Sequence, residues 1–365
     1  MRIHLHGLLA EKGGAARVVD MLARGLAGNG HEVRRTCEIP EGGAAACRPE
    51  ELGAAADGSD LVHVHGSSDY AGCLNSLAGM RGRVIVTLHD CRPFTAGCPF
   101  PLDCREWMSS CGQCPRGYSA PDRGADSVAE ALRALDALVV SPSRWMAEPA
   151  SGAFPGVNVR IIPNGVDWPD ALCGKREARR AIGIDPDARL LLFAAHGGVN
   201  AEYKSGDRWL ELWREAERAV PGSVCVMVGG ERSCRKGNLL ELPYMAEKSM
   251  RMFFRAADIF AYPTRADNHP LAVLEAMSEG AACQAFAAGG LPEQIEEGWT
   301  GFLVPEGDWT GYKKKLAALL SSPRRTREVG MNAFAANRKR FSAERMVSDY
   351  LSLYFRVCRE PVTTS

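Results

Sequence analysis

The feature that most constrains this chain is an alternation of short apolar, β-branched runs with longer helical stretches, sustained along its length. In the first half, Ile3–His6, Glu32–Arg35, Leu61–His65, Val84–His89, Ala137–Val140 and Val159–Ile162 read as strands. Between them, Ala15–Ala27, Tyr70–Ala78, Ser127–Leu135 and Ser143–Ser151 read as helices. Strand–helix alternation of this kind builds a parallel, doubly wound sheet with helices on both faces. Pro163-Asn164-Gly165 then supplies three turn residues together, which mark a domain boundary and hinge. Beyond it the pattern repeats, with strands at Leu190–Ala194, Ser223–Val228, Ile259–Tyr262, Ala282–Phe286 and Gly301–Val304. The accompanying helices are Lys175–Ile182, Asp207–Val220, Lys248–Ala256, Leu271–Glu279, Pro292–Glu297 and Trp309–Leu320, and Phe341–Phe355 is amphipathic and helical. A chain of 365 residues suits two such domains, read here as 1–165 and 166–340, with a closing helix in 341–365.

Ligands of doubly wound sheets sit at the carboxyl ends of the strands. The stretch Asp267 to Gly290 has the chemistry for one. Pro270 suits a first helical position, since its missing N–H would have no partner there anyway, with Asn268 or His269 near the cap and Gly280 at the helix end. Free N–H groups at a helix start favour an anion such as phosphate. Glu275 lies one turn after Leu271 on a mostly apolar stripe, where a carboxylate needs hydrogen-bond donors. A phosphate seat and an acceptor one turn in fit a nucleotide diphosphate with its ribose hydroxyls. The same stretch also reads as an amphipathic core helix with a paired surface Glu. The loop His196 to Gly206 is Gly-rich and carries Lys204 just before a helix, an arrangement for a diphosphate or a surface loop with a solvated Lys. Gly13 and Gly14 open the first helix and let backbone approach a ligand, or serve as a plain connector. Neither G-x-G-x-x-G nor G-x-x-x-x-G-K-[ST] occurs. His89 stands at a strand's carboxyl end, placed for substrate or for a structural hydrogen bond. Asp185-Pro186-Asp187 has the D-x-D spacing of a metal site, but its central Pro makes it a turn.

Between Cys91 and Pro115, Cys98, Cys104, Cys111 and Cys114 follow a C-x5-C-x6-C-x2-C spacing, and the last pair resembles half of a zinc knuckle. A loop this long with little apolar content needs a staple to be ordered. Structural zinc is the favoured reading. Disulfides, reduced packing cysteines and an iron–sulfur cluster stand beside it.

Formal net charge is +0, so no global field recruits nucleic acid, and no nucleic-acid motif is present. No apolar run approaches the roughly 20 residues of a membrane span. The start, MRIHLHGLLAEKGG, reads as a strand and loop rather than a signal peptide. A cytoplasmic location follows, with the 13 cysteines reduced. The basic run from Arg324 to Arg340 reads as a solvated helix face, with contact to anionic lipid at the inner face of a membrane as the minor reading.

Taken together, the segments GGAARVVDMLARGLAGNGHEV (13–33), VTLHD (86–90), VVSPSRW (139–145), VRIIPNGVD (159–167), AADIFAYPT (256–264), DNHPLAVLEAM (267–277) and GGLPEQIEEGWTGFLV (289–304) resemble the retaining glycosyltransferases of family 4. The resemblance covers nearly the whole chain, and the order and spacing of the segments are specific. The cysteine segment is similar to a subgroup acting in bacterial cell-surface polysaccharide synthesis, related to colanic-acid enzymes. The resemblance implies the GT-B fold: two Rossmann-like α/β domains facing an interdomain cleft, with the closing helix crossing back to the first. It implies a nucleotide-sugar donor, a glycan or lipid-linked acceptor, and no cofactor for catalysis. Glu275 matches the second Glu of an E-x7-E motif that binds donor ribose, and Asp267 stands where the first Glu contacts the transferred sugar. That Asp for Glu is a departure, as is the absence of an Arg about five positions before Lys204, the residue matching a diphosphate-binding Lys. Backbone around Asn268, His269, Pro270 and Leu271 would hold sugar and diphosphate. Gly13 and Gly14 would face donor phosphate and acceptor, His89 the donor sugar, and backbone at Pro243–Met245, Tyr244 included, the base. A nucleotide-sugar epimerase or phosphorylase-like enzyme on the same plan, and a binding protein that has lost turnover, are the competing readings.

Overall fold

The computed structural model describes residues 1–365 except 41–44, 96, 110, 112–113, 115, 119–124, 173 and 360–365, together with the side chain of Ala125. The chain divides into two compact units, Met1–Gly165 with Ala343–Ser365, and Val166–Ser342.

The first unit is built on seven strands: β1 (Arg2–Leu9), β2 (Glu32–Ile39), β3 (Ala45–Ala46), β4 (Leu61–Val64), β5 (Val84–Thr87), β6 (Leu138–Ser141) and β7 (Asn158–Ile161). They lie in the order β3-β2-β1-β4-β5-β6-β7, all parallel. The order reverses beside β1, which makes the carboxyl ends of β1 and β4 the place for a ligand crevice. The helix Ala343–Arg359 belongs to this unit. It packs on the helix Gly14–Gly28 so closely that a Cβ added to Gly25 would lie 2.4 Å from Val347. Its Tyr350 and Tyr354 are fully buried and point their hydroxyls at the sheet.

The second unit repeats the plan with β8 (Leu190–Ala194), β9 (Val224–Gly230), β10 (Cys234–Lys236), β11 (Leu239–Pro243), β12 (Ile259–Tyr262), β13 (Ala282–Phe286) and β14 (Phe302–Val304). The order is β10-β11-β9-β8-β12-β13-β14, parallel but for the β10–β11 hairpin. Strand β8 shows why the sheet is covered on both sides: Leu190, Leu192 and Ala194 enter one buried cluster, Leu191 and Phe193 the other. A strand with apolar residues at every position has to be sandwiched. No helix among the described residues is long and apolar enough to cross a membrane.

Several boundaries differ from the sequence reading. Strand β2 runs on to Ile39: Thr36 and Cys37 are buried, and the charged Arg34, Arg35 and Glu38 around them mask the strand in the sequence. Pro270 is the residue before the helix Leu271–Ser278 rather than its first position. The helix expected over Pro292–Glu297 is only Leu291–Gln294. The hairpin β10–β11 and the helix Pro323–Asn337 have no counterpart among the expected elements, although the basic run on that helix was read as a helix face.

Candidate active site

In the second unit, two loops that leave the carboxyl ends of β8 and β12 are bound to one another. The loop after β8 turns on Gly197 and Gly198, both at positive φ. It packs without room for side chains: a Cβ on Gly206 would come 2.2 Å from the Gly198 carbonyl oxygen, and one on Gly229 1.6 Å from that of Ala195. These glycines allow a close backbone approach that any other residue would force apart. Ser205 adopts φ 50°, a left-handed conformation costly for a non-glycine residue, and directly precedes the turn into the helix Trp209–Ala219. The Trp209 indole N–H donates to the Lys204 carbonyl at 3.1 Å. Across the gap between the two loops, the Arg265 N–H and the Thr264 hydroxyl donate to the Tyr203 carbonyl at 2.7 and 3.0 Å.

This wiring brings together two side chains 63 positions apart. Lys204 Nζ donates to Asp267 Oδ2 at 3.1 Å. Tyr262, the last residue of β12, joins them: its hydroxyl donates to the same Oδ2 at 2.7 Å and accepts from Lys204 Nζ at 2.5 Å. The ammonium also stands 5.0 Å from the Tyr262 ring centroid. Burial, reinforced by the Asp267 charge and its hydrogen bond, pushes the Tyr262 phenol well above its ordinary value, so it stays neutral. The sequence reading passed over Tyr262. Its signal was there: a phenol closing an otherwise apolar strand must find a polar partner once buried. Asp267 itself is seated by the Gly-Gly pair. Gly290 N–H donates to its carbonyl at 3.0 Å, and a Cβ on Gly289, at φ 60°, would fall 2.0 Å from that oxygen.

From Asp267 the chain runs through Asn268, His269 and Pro270 into the helix Leu271–Ser278. Asn268, His269 and Leu271 are buried, and His269 Nδ1 lies 2.9 Å from the Gln294 side-chain nitrogen. No side chain caps this helix and none of its first-turn residues is acidic, so its start keeps its positive end. Glu275 is only 4% exposed, one turn along. Tyr244, just past β11, is half-exposed and meets the His196 ring edge-on at 5.3 Å. Asp185-Pro186-Asp187 is a turn: the Asp187 N–H donates to the Asp185 carboxylate at 2.8 Å, and Asp187 pairs with Arg176.

In the first unit, Gly13 adopts φ 91° and Gly14 opens the helix Gly14–Gly28, with nothing within 4 Å of a Cβ at either. His89 lies two residues past β5, half-buried, with Nε2 3.0 Å from His65 Nδ1. It ends a buried polar series. The His63 and His65 rings lie tilted with centroids 3.9 Å apart, Thr87 bonds His63 Nε2 at 2.7 Å, and Tyr354 bonds His63 Nδ1 at 2.6 Å. Burial lowers the pKa of His89, and of His4 on β1, to about 4, and that of His63 and His65 well below the ordinary value. His89 is therefore a neutral imidazole at neutral pH.

Cys98 is buried, while Cys104, Cys111 and Cys114 are half-buried, and all four are free thiols. Cys98 lies within electrostatic reach of Cys114 and Cys111. The Cys114 sulfur accepts backbone N–H donors from Tyr118, Arg116 and Gly117, which lower its pKa. That turn favours a thiolate, the form a metal binds. Among the described residues, no three His, Cys, Asp or Glu side chains form a group able to hold a metal ion.

A pair of doubly wound α/β units is the architecture of the GT-B glycosyltransferases. Sucrose-phosphate synthase from Thermosynechococcus elongatus aligns over 98% of both chains with a TM-score of 0.71 at 18% identity. Anabaena HepE, solved with UDP-glucose, covers 97% of this chain and 100% of its own with a TM-score of 0.68 at 15% identity. WaaG, a glycosyltransferase involved in lipopolysaccharide biosynthesis, gives 0.68 at 14%, covering 96% and 99%. Residues 174–336, which carry Lys204, Asp267 and Glu275, match the family model described as glycosyl transferases group 1. Curated relatives include a D-inositol 3-phosphate glycosyltransferase of Segniliparus rotundus, 28% identical over 54% of this chain and 46% of its own. A second of that name from Catenulispora acidiphila is 30% identical over 58% and 53%. The chain thus spans about half the length of the curated relatives it matches.

Proposed function

We propose that the protein is a retaining glycosyltransferase that moves a sugar from a nucleotide diphosphate to a glycan or lipid-linked acceptor in bacterial cell-surface polysaccharide synthesis. The observation that carries this reading is the meeting of Lys204, Asp267 and Tyr262 immediately before an uncapped helix start. UDP and UDP-glucose are the ligands named for HepE, and the group 1 family match falls on the same unit.

In the proposed reaction the bond from the sugar's anomeric carbon to the diphosphate oxygen breaks, through an oxocarbenium-like state. The acceptor oxygen bonds the same face of that carbon, and its proton passes to the departing phosphate, so no separate base is needed. Negative charge grows on the leaving oxygen, where the Lys204 ammonium and the helix start at Pro270 stabilise it. Glu275 accepts the ribose hydroxyls and Asp267 a hydroxyl of the transferred sugar. On the acceptor-side unit, Gly13 and Gly14 offer bare backbone, and the neutral His89 suits a hydroxyl rather than a phosphate. Catalysis needs no metal. A structural zinc on Cys98, Cys104, Cys111 and Cys114 is a separate proposal, supported by their C-x5-C-x6-C-x2-C spacing.

One observation favours a second reading, a nucleotide-sugar-binding protein without turnover: the Lys204 charge is already countered by Asp267. A panel of UDP- and GDP-sugars screened by thermal shift, then by product analysis with and without acceptor, decides. A ligand at 100 times its Kd adds about 2.7 kcal/mol of stability. Stabilisation with acceptor-dependent transfer is expected. Stabilisation with neither hydrolysis nor transfer establishes the binding protein, and no stabilisation by any nucleotide sugar refutes both.

A further inference from the structure

The three edges of the Lys204–Tyr262–Asp267 triangle are all of hydrogen-bond length, 2.5, 2.7 and 3.1 Å. Lysine is a point charge on a flexible stem with no preferred direction, and an aspartate reaches one methylene less far than a glutamate. Neither group alone is a well-placed part. Tyr262 is different. It ends β12, is 1% exposed, has two side-chain torsions, and packs against Phe260 with ring centroids 5.5 Å apart. Its hydroxyl bridges the pair, accepting from Lys204 Nζ while donating to Asp267 Oδ2.

The outward chemistry of the triangle follows from what it consumes. Tyr262 and Lys204 both occupy Asp267 Oδ2. Among the described residues, Oδ1 has no hydrogen-bond partner, and Lys204 Nζ keeps one of its three protons after serving Tyr262 and Asp267. Lys204 is about a third exposed and Asp267 less, at 31% and 17%. The triangle therefore presents one directed acceptor and one directed ammonium donor.

We infer that Tyr262 is a positioning residue, whose hydroxyl ties Lys204 and Asp267 into one rigid unit. Oδ1 then takes one hydroxyl of the transferred sugar, and the remaining ammonium proton takes the diphosphate. This deepens the reaction proposed above and rests on it.

The test is a cycle of Tyr262→Phe, which keeps the ring and leaves no cavity, with Asp267→Glu. In the parent, Tyr262→Phe lowers kcat about tenfold or more, the scale of a hydrogen bond to a charged group, while the donor KM moves less than kcat. In the Asp267→Glu background the carboxylate oxygens move one methylene away from their present place beside the Tyr262 hydroxyl, so the bridge no longer governs the pair and the same change costs less than about threefold. An equal loss in both backgrounds, or a Tyr262→Phe kcat within about twofold of the parent, overturns the inference. Should Asp267→Glu be inactive, Asp267→Asn replaces it, and loss of the hydroxyl must then cost nothing further. Failure of the reaction itself shows separately, as absence of transfer by the parent. In that case calorimetric binding of UDP and GDP carries the comparison, with at least tenfold weakening by Tyr262→Phe expected and unchanged binding refuting it.

Discussion

Replacing Tyr354 by Phe removes one hydroxyl from the first unit and leaves its packing intact. That hydroxyl stands 2.6 Å from His63 Nδ1, and both residues are 0% exposed, so water does not take its place. The change deletes a hydrogen bond worth about 1 kcal/mol net and leaves a buried imidazole nitrogen unpaired, for a total of about 2–3 kcal/mol. Tyr350→Phe on the same helix is the internal control. Its hydroxyl bonds Thr87 Oγ1 at 2.9 Å, but Thr87 keeps His63 Nε2 at 2.7 Å, so nothing is orphaned and the loss is about 0.5–1.5 kcal/mol. Two units make a single melting temperature ambiguous. Hydrogen exchange of the β4 and β5 amides reports the opening of this unit directly. The opening free energy should fall by at least about 1 kcal/mol more for Tyr354→Phe than for Tyr350→Phe. Equal losses, or the reverse order, would refute the accounting of the buried network.

Lys204→Ala should lower kcat more than donor affinity, since it acts on charge that grows during the reaction, whereas Glu275→Ala should weaken donor binding by about 2–3 kcal/mol. Parent-like transfer by both in steady-state assays would remove the site assignment. The first unit should be acid-labile. Imidazoles at His4 and His89, held at about 4 when folded, refuse protons that the unfolded chain accepts below its ordinary 6.5. Their contribution is complete above pH 6.5 and is lost as pH falls toward 4, at about 1.4 kcal/mol per pH unit for each group. Exchange of β4 and β5 amides that is no faster at pH 5 than at pH 7, after correction for intrinsic rates, would contradict this. Transfer should survive EDTA, while metal analysis should find about one zinc per chain that is lost in Cys111→Ser/Cys114→Ser. Abolition of transfer by EDTA with the zinc still bound would sink metal-independent catalysis.

Where a strand is buried on both faces, composition betrays it: β8, β12 and β13 carry the bounds read for them from the sequence. Where one face meets solvent the signal thins, as in β2, and the hairpin β10–β11 hides in a polar turn, Arg235 to Asn238. The candidate site was legible as pieces. Local chemistry picked out Lys204 and Asp267, but their partnership arises from contacts between the loops after β8 and β12 that no local pattern encodes. The buried histidines could have been suspected. His4 and His6 stand two apart on β1, and His63 and His65 two apart at β4, and that spacing puts each pair on one face of the sheet.

The helix Ala343–Arg359 completes the unit that begins with Met1, yet it is synthesised after all of Val166–Ser342. At about 5–20 residues per second, that intervening stretch occupies a ribosome for roughly 10–35 s. During this interval the groove beside Gly25, shaped for Val347, stands open, and His63 lacks its Tyr354 hydroxyl. The later-made unit can therefore finish folding first, leaving the earlier one as a nascent form that chaperones would meet.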